Sequence, residues 1–205
     1  MKRGKYELKK RAERQEQTRL RIARATLELH EIVGPALTTR SAIAERAGVS
    51  RHTVYAHFPD DLSLGLACST LGLTENPLPD IGPWEEISDP EKRLRTALGE
   101  LYGYFRRSEG LLTNIQRDQD IPHYRDNPDV QQIMRPMVEH WAKMHRVLAE
   151  GWETREGQAP SLVFGAIGVA LDFQSWRTMV RKQGMSNEQA VEVMVGMVRC
   201  AAQSQ

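Results

Sequence analysis

The residues with the most informative chemistry lie close together, between positions 51 and 57. One guanidinium, two imidazoles and two hydroxyl-bearing side chains fall within seven residues: Arg51, His52, Thr53, Tyr55 and His57. The guanidinium can pair with guanine O6 and N7 or with a phosphate. The side chains at 52 and 53 suit base edges, and those at 55 and 57 can donate hydrogen bonds to phosphate oxygens. This combination predicts contact with double-stranded DNA.

Two short helices, at about 40–47 and 51–57, must position these side chains. Apolar residues at helical spacing predict their inward faces: Ile43, Ala44, Ala47, Val54 and Phe58. Gly48 permits a tight turn at positive φ, Val49 fills the angle between the helices, and Ser50 caps the second helix. Two short helices joined by a glycine turn predict a helix-turn-helix at about Thr39–Phe58, whose second helix enters the major groove.

The stretch resembles the TetR family of bacterial transcriptional regulators. The residues that carry the resemblance are Thr39, Ile43-Ala44, Ala47-Gly48-Val49-Ser50, Thr53, Tyr55 and His57-Phe58-Pro59. The resemblance covers about residues 15–67, whereas residues 90–205 match in layout and length only. It implies that Thr39 caps the first short helix near a phosphate. It also implies that Arg40, Arg51, His52 and Thr53 face DNA, and that Tyr55 and His57 contact the backbone. With Thr39 and Ser50, these are the eight candidate DNA-binding residues.

Two positions depart from the family pattern. The family usually has a lysine early in the next helix, where it meets a phosphate, but Asp60 and Asp61 occupy that region here. We expect Asp61 to repel a phosphate. The family commonly has glycine where this chain has His52, so we expect an altered base preference. The basic arm at residues 2–11 offers a compensating contact with DNA, or it is a mobile, solvated tail.

The rest of the chain also has helical periodicity, which predicts an all-α fold. We expect an N-terminal arm and three-helix DNA-binding domain at 1–67 and a larger helical ligand-binding and dimerisation domain at 68–205. Residues 1–13 read as a disordered arm or a frayed helix start. The expected helices lie at about 14–33, 40–47, 51–57, 60–73, 89–108, 110–118, 127–155, 161–184 and 186–202. The first has an apolar face that consists of Ile22, Ala25, Leu29 and Ile32. The predicted helix starts include Asp89 as a cap followed by Pro90, Ser161 as a cap, and a capping box formed by Ser186 and Gln189. The resemblance implies a homodimer through the last two helices, at about 161–202, as a four-helix bundle.

An apolar stripe on the helix at 127–155 indicates either core or the wall of an apolar cavity. The stripe consists of Val130, Met134, Met137, Trp141, Leu148 and Trp152, with His145 in one seat and Pro136 inside the helix. His145 is either a core histidine with a hydrogen-bond partner or a ligand donor. Candidate pocket residues are Tyr102, Phe105, Met137, Trp141, His145, Phe173 and Trp176.

Charge and motifs narrow the class of protein further. Residues 1–67 carry 13 Lys and Arg against 8 Asp and Glu, whereas the rest carries 15 against 19, so the first third is the basic part. Two cysteines without metal-like spacing, no signal peptide and no stretch of 18 apolar residues predict a cytoplasmic protein. No catalytic motif, cofactor motif or zinc spacing occurs, so we expect no enzyme, no cofactor and no metal. His140 and His145 are five residues apart and do not share a helix face.

These observations together predict a sequence-specific DNA-binding regulator. We expect a repressor that a small-molecule effector of unknown identity releases from a palindromic operator. A constitutive or architectural DNA-binding dimer without an effector is the alternative, and a helical enzyme is a more remote one.

Overall fold

The computed structural model describes residues 2–152 and 160–203, and their regular structure is helical throughout. The helices are α1 (Lys2–Ile32), α2 (Arg40–Ala47), α3 (Arg51–His57), α4 (Asp61–Glu75), α5 (Gly82–Glu85), α6 (Pro90–Arg107), α7 (Glu109–Gln119), α8 (Pro122–Arg125), α9 (Pro128–Ala149), α10 (Pro160–Ala170), α11 (Phe173–Arg177) and α12 (Asn187–Gln203). A 3₁₀ turn, Pro35–Leu37, follows α1, and a π-helical stretch, Thr178–Lys182, follows α11. The predicted all-α class is confirmed.

The described residues form two compact units, each assembled from two chain segments. The first unit contains the residues up to Asn76 together with Glu109–Met134, and the second contains Pro77–Ser108 together with the residues from Arg135 onward. The first turns of α9 therefore belong to the first unit and its remainder to the second, with the change beside Pro136. The predicted functional division at 67/68 stays a prediction.

Helices α1 to α4 share one apolar core in the first unit. Its buried members are Ile22, Ala25, Ile43, Ala44, Ala47, Val54, Phe58 and Leu64, with Leu29, Val49 and Ala67 packed against them. All five predicted inward residues of α2 and α3 are among them. Ile32, placed on the apolar face of α1 by its spacing, is 61% exposed. It lies in the last turn of α1, beyond Leu29, which still packs against this core.

Helix α1 begins at Lys2, twelve residues before the predicted start near 14. The segment taken for a disordered arm or frayed start is helical, because lysine, glutamate, arginine and leucine are good helix formers. The pair Lys9–Glu13, at i and i+4, adds a weak stabilising contact on its solvent face.

In the second unit, α6 packs against α12, and α12 packs against α10. Its core includes Leu94, Leu98, Leu101, Met144, Leu148, Ile167, Val195 and Val198, all nearly or fully buried. Asp89 caps α6, with Pro90 in its first turn, as predicted. The predicted capping box is confirmed at α12: the Ser186 N–H donates to Gln189 Oε1 at 2.8 Å and the Gln189 N–H to Ser186 Oγ at 3.2 Å.

The prediction of a single helix at 161–184 is wrong, because the structure divides this segment into separate helices. Helix α10 ends at Ala170, and the Asp172 carboxylate accepts the Ser175 N–H at 2.6 Å to start α11. An aspartate that binds the backbone nearby competes with a continuous helix, which explains the break. The side chain of Ser161, the predicted cap, lies outside the described residues.

The other boundaries differ less. Helix α9 ends at Ala149 rather than near Arg155, and Gly151 follows at a φ of 78°; residues 153–159 lie outside the described part. Helices α5 and α8 had not been predicted because each spans only four residues. Among the described residues, no helix is long and apolar enough to cross a membrane.

Candidate nucleic-acid interface

Two side-chain caps and a left-handed glycine define the geometry of α2 and α3. Thr39 Oγ1 accepts the Ala42 N–H at 3.2 Å, which starts α2. Gly48 ends α2 at φ 63°, ψ 39°, a conformation that suits glycine because it lacks a Cβ. Ser50 Oγ accepts the Thr53 N–H at 3.0 Å and starts α3. The predicted helix-turn-helix is therefore present, with both predicted caps.

Helix α3 has one buried and one open face. Val54 of α3 and Phe58, which follows the helix, are fully buried, whereas Arg51, His52 and Tyr55 are exposed. Arg51 Nη2 lies 3.5 Å from Tyr55 Oη, so the two side chains form one exposed pair. A short helix with its inner face fixed in a core and cationic and hydroxyl groups outside can enter a major groove.

Three of the other predicted DNA-binding residues, Arg40, Thr53 and His57, are less open than these. Thr53 and His57 are half-buried, and the Thr53 and Ser50 hydroxyls lie 2.8 Å apart, bonded to each other. The Arg40 guanidinium donates to Asp61 Oδ1 and to the Phe58 carbonyl. The eight predicted positions thus lie on one helix-turn-helix, but with different access to solvent.

Arg19 of α1 is a positioning residue that sequence reasoning missed. Its guanidinium donates to the His57 carbonyl at 2.9 Å and lies 4.2 Å from the centre of the Phe58 ring. The carbonyl belongs to the last turn of α3, where a cation is favourable. Since 38 residues separate Arg19 from His57, no local pattern in the sequence could indicate the contact.

Side chains of α7 hold the C-terminal end of α1. Asn114 Nδ2 donates to the carbonyls of His30 and Glu31, and Arg117 Nη2 donates to the Val33 carbonyl at 2.7 Å. Asp118, fully buried, accepts the Ala36 N–H at 2.8 Å and pairs with Arg117. The connection from α1 to α2, and with it the start of the helix-turn-helix, is fixed by a helix some 80 residues further along the chain.

Gly34 is required in that connection for two reasons. Its φ of 91° lies in a region that side-chain-bearing residues rarely adopt. A Cβ at this position would also collide with the side chains of Arg117 and Asp118. The glycine therefore lets α7 approach the backbone closely enough to bind it.

The half-buried His30 and the buried Cys68 form a polar contact in the same unit. Nδ1 of His30 lies 3.6 Å from Sγ of Cys68. Burial lowers the pKa of His30 to about 4, against an opposing effect of the Asp118 carboxylate. Burial also raises the pKa of the Cys68 thiol to about 12, and the nearby Glu31 charge adds to this. Both groups are therefore neutral near pH 7.

Most of the predicted pocket residues form an aromatic cluster in the second unit. Phe105 is central, with ring centres 6.0 Å from Tyr102, 6.4 Å from Trp141, 5.3 Å from Phe173 and 5.7 Å from Trp176. All of these except the half-buried Trp141 are buried, and the Tyr102 hydroxyl donates to the Ala170 carbonyl at 3.0 Å. Burial raises the pKa of Tyr102, with a smaller contribution from the Asp172 charge. The rings pack on one another, so their role as a pocket wall stays a prediction.

The other two predicted pocket residues, Met137 and His145, are half-buried side chains of α9. Within the described part of the chain, His145 has its ring contact with Phe164 rather than with the cluster. Nε2 of His145 lies 2.7 Å from the Phe164 carbonyl, and its ring stacks on Phe164 with centres 3.6 Å apart. Gly168 gives this imidazole room, since a Cβ there would lie 3.3 Å from it. His145 therefore has a partner within the protein, and Met137 lies one turn before Trp141 on the same helix. No group of three potential metal ligands occurs in the described part of the chain.

The sequence matches the model of the bacterial regulatory proteins of the TetR family over residues 22–60, from the middle of α1 to the cap of α4. A TetR-like regulator from Rhodococcus sp. RHA1 has a similar fold, with a TM-score of 0.61 and 19% identity over 93% of this chain and 97% of that one. No curated protein matches the sequence.

Two further solved structures have informative descriptions. FadR of Bacillus subtilis, solved with stearoyl-CoA, has a TM-score of 0.58 and 16% identity over 90% of this chain and 98% of that one. NalD of Pseudomonas aeruginosa, the secondary repressor of the MexAB-OprM multidrug efflux pump, has a TM-score of 0.57 and 19% identity over 93% and 99%. At these identities the likenesses establish the fold.

The helix-turn-helix and its match to the family model define a DNA-binding transcriptional regulator. Residues 22–60 match the DNA-binding region of the TetR family.

Proposed function

We propose that this regulator is a repressor that binds a palindromic operator and is released from it by a small-molecule effector. The observation that carries the proposal is the pair of capped helices α2 and α3, which holds one buried face in a core and leaves Arg51, His52 and Tyr55 exposed. A groove-reading helix requires this arrangement, because its base contacts are useful only when the backbone behind them is fixed.

The exposed side chains have distinct roles in this proposal. Arg51 reads a guanine or holds a phosphate, while His52 and Thr53 meet base edges. Thr39, Ser50, Tyr55 and His57 place the helices against the DNA backbone. Arg40 belongs to the same surface, at the start of α2. An imidazole at 52 instead of glycine gives this chain a base preference of its own.

A dimer makes the operator palindromic. Two subunits related by a twofold axis present two copies of α3 to successive major grooves, so the half-sites lie about one helical turn, or a small multiple of it, apart. Helices α10 and α12 suit the subunit interface because apolar side chains on them are exposed: Leu162, Phe164, Val169 and Val193.

The proposed effector-binding site lies in the helical region after residue 67, at the aromatic cluster. Its proposed contacts are Tyr102, Phe105, Met137, Trp141, His145, Phe173 and Trp176. A site lined by these residues favours an apolar or aromatic molecule, and FadR, of similar fold, was solved with a long-chain acyl-CoA. Because the rings pack on one another, such a ligand must separate them. It releases DNA only if it binds the DNA-incompetent form more tightly.

A gel-shift measurement tests the proposal with the DNA upstream of the protein's own gene and a random duplex of equal length. We expect a shift of the upstream DNA at low salt, and its loss on adding stearoyl-CoA or another apolar compound from a small panel. Arg51→Ala is the matched variant. If Arg51 reads a base, the variant loses about 1–3 kcal/mol of binding free energy on the upstream DNA and less on the random duplex.

Three outcomes would contradict parts of the proposal. Absence of any shift at low salt would exclude DNA binding. Equal losses for Arg51→Ala on both duplexes would reduce Arg51 to a phosphate contact. A shift that none of the panel reverses would favour the constitutive or architectural dimer over an effector-controlled repressor.

A further inference from the structure

Arg40 joins three helices of the DNA-binding unit through its guanidinium. Its Nε and Nη2 donate to Asp61 Oδ1 at 3.0 and 2.7 Å, and its Nη1 donates to the Phe58 carbonyl at 2.6 Å. Arg40 begins α2, Phe58 follows α3, and Asp61 begins α4. One side chain therefore fixes the start of α2 against the end of α3 and the start of α4.

The two partners of this ion pair differ in their access to solvent. The Arg40 side chain is 11% exposed, whereas that of Asp61 is 85% exposed. A guanidinium that is nearly covered and already bonded to a carboxylate and a carbonyl has little left for a phosphate. The member of this pair that faces the solvent is therefore the Asp61 carboxylate.

The same guanidinium also lies against Tyr55. The Arg40 Cζ atom is 5.0 Å from the centre of the Tyr55 ring, and the Arg51 Cζ atom is 5.7 Å from it. Both distances are within the range of cation–π attraction. The ring of an exposed tyrosine is thereby restricted in orientation, which lowers the entropic cost of placing its hydroxyl on a phosphate.

We propose that Arg40 is a positioning residue rather than a DNA contact, and that Asp61 is its anchor, so that together they hold Tyr55 in the orientation that binds the DNA backbone. The proposal rests on the proposed DNA-binding role of α3. It replaces the simple expectation that Asp61 only repels phosphates. Asp61 stands where a phosphate-binding lysine is usual. Here it holds Arg40, and Arg40 orients Tyr55, whose neutral hydroxyl donates a hydrogen bond to the phosphate.

The proposal has a consequence opposite to simple electrostatics. Removing the Asp61 charge takes a negative group off the DNA-facing surface and would strengthen binding if repulsion were its main effect. If Asp61 is an anchor, Asp61→Ala weakens binding, roughly three- to tenfold, because the guanidinium loses its charge-assisted bonds and Tyr55 its orientation. Glu45→Ala is the matched control, since it removes an exposed carboxylate of α2.

The experiment measures binding by fluorescence anisotropy over a series of salt concentrations. The probes are a duplex that the wild-type protein selects from a random library and an unselected duplex of the same length. We expect Arg40→Gln and Asp61→Ala to weaken binding of the selected duplex with an unchanged slope of log K against log salt. A phosphate-binding Arg40 would instead lower the slope by about 0.9 for each subunit when replaced, and that result would overturn the proposal.

A double-mutant comparison tests whether the effect passes through Tyr55. In a Tyr55→Phe background, which keeps the ring but lacks the hydroxyl, we expect Asp61→Ala to cause no further loss. Full additivity would contradict the positioning role. Circular dichroism and urea unfolding of each variant identify any loss of DNA binding that comes from unfolding of the protein.

A measurement without DNA separates this proposal from the proposed function. The ring signals of Tyr55, observed by NMR with ¹³C-labelled tyrosine, should shift in Asp61→Ala and stay unchanged in Glu45→Ala. Unchanged signals in both variants would overturn the anchor role. Failure of the wild-type protein to select any duplex would contradict the DNA-binding function while leaving this result intact.

Discussion

At the scale of single residues, the polar groups that the first unit covers wholly or in part are the least expected feature. His30 is a neutral imidazole next to the Cys68 thiol, and Asp118 is a fully buried carboxylate. Each has partners within the protein, which offsets the cost of removing it from water. Their ionisation is therefore linked to stability.

His30 makes the protein less stable in mild acid. Its pKa is about 4 in the folded protein and about 6.5 unfolded, so between these values the unfolded state binds more protons. The free energy of unfolding then falls as the pH is lowered through 6.5 towards 4. We expect the free energy of unfolding, measured with urea, to fall between pH 7.5 and pH 5.0 by about 2 kcal/mol more in the wild type than in His30→Gln.

His123→Gln is the control for this measurement because His123 is exposed on α8. It should keep the wild-type pH dependence. Equal pH dependence in His30→Gln and the wild type would show that His30 is not the group responsible.

At the scale of elements, caps and glycine turns could be read from the sequence, whereas contacts between distant helices could not. Thr39, Ser50, Asp89 and the Ser186–Gln189 box act within four residues of chain, and all were predicted. The bonds from α7 to the end of α1 join residues more than 80 apart, so they depend on how the helices pack.

Asp118→Ala should destabilise the protein by about 1–3 kcal/mol, because the Ala36 N–H loses its acceptor and Arg117 its partner. Urea unfolding measures the change. Asp120→Ala removes an exposed carboxylate two residues away and should have little effect. Asp118→Asn keeps an acceptor and should lie between them; a loss in Asp118→Ala no larger than in Asp120→Ala would contradict this role of the carboxylate.

At the scale of the whole molecule, the exposed apolar residues of α10 and α12 are the features that the single chain leaves unexplained. Val169 and Val193 are each nearly half exposed, although both helices pack against each other in the second unit. Exposed apolar groups on adjoining helices are typical of a subunit interface.

We therefore expect a dimer of twice 23.3 kDa by light scattering at micromolar concentration. Val169→Glu should shift the protein towards monomer, because it places a charge in the proposed interface. Val138→Glu is the matched control, since Val138 is exposed on α9 and lies outside that interface. A monomeric wild-type protein would count against the dimer and against a palindromic operator.

The sequence by itself determined the helix-turn-helix, because its signals are local. The apolar faces of α2 and α3, the Gly48 turn and the two caps each act over one or two turns of chain. It also indicated the all-α class and most helix starts. Periodicity could not reveal that Asp172 would interrupt the helix predicted at 161–184, since the residue suits either a surface position or a cap.

Only the tertiary structure decided what the polar residues near the DNA-facing surface do. Arg40 and Asp61 are 21 residues apart, and their pairing follows from the packing of α2 against α3 and the start of α4. The residue type allowed Arg40 to meet a phosphate, but its burial commits it to Asp61 and the Phe58 carbonyl. Local free energies specify helices and turns, whereas the partner of a long charged side chain depends on which helices the core brings together.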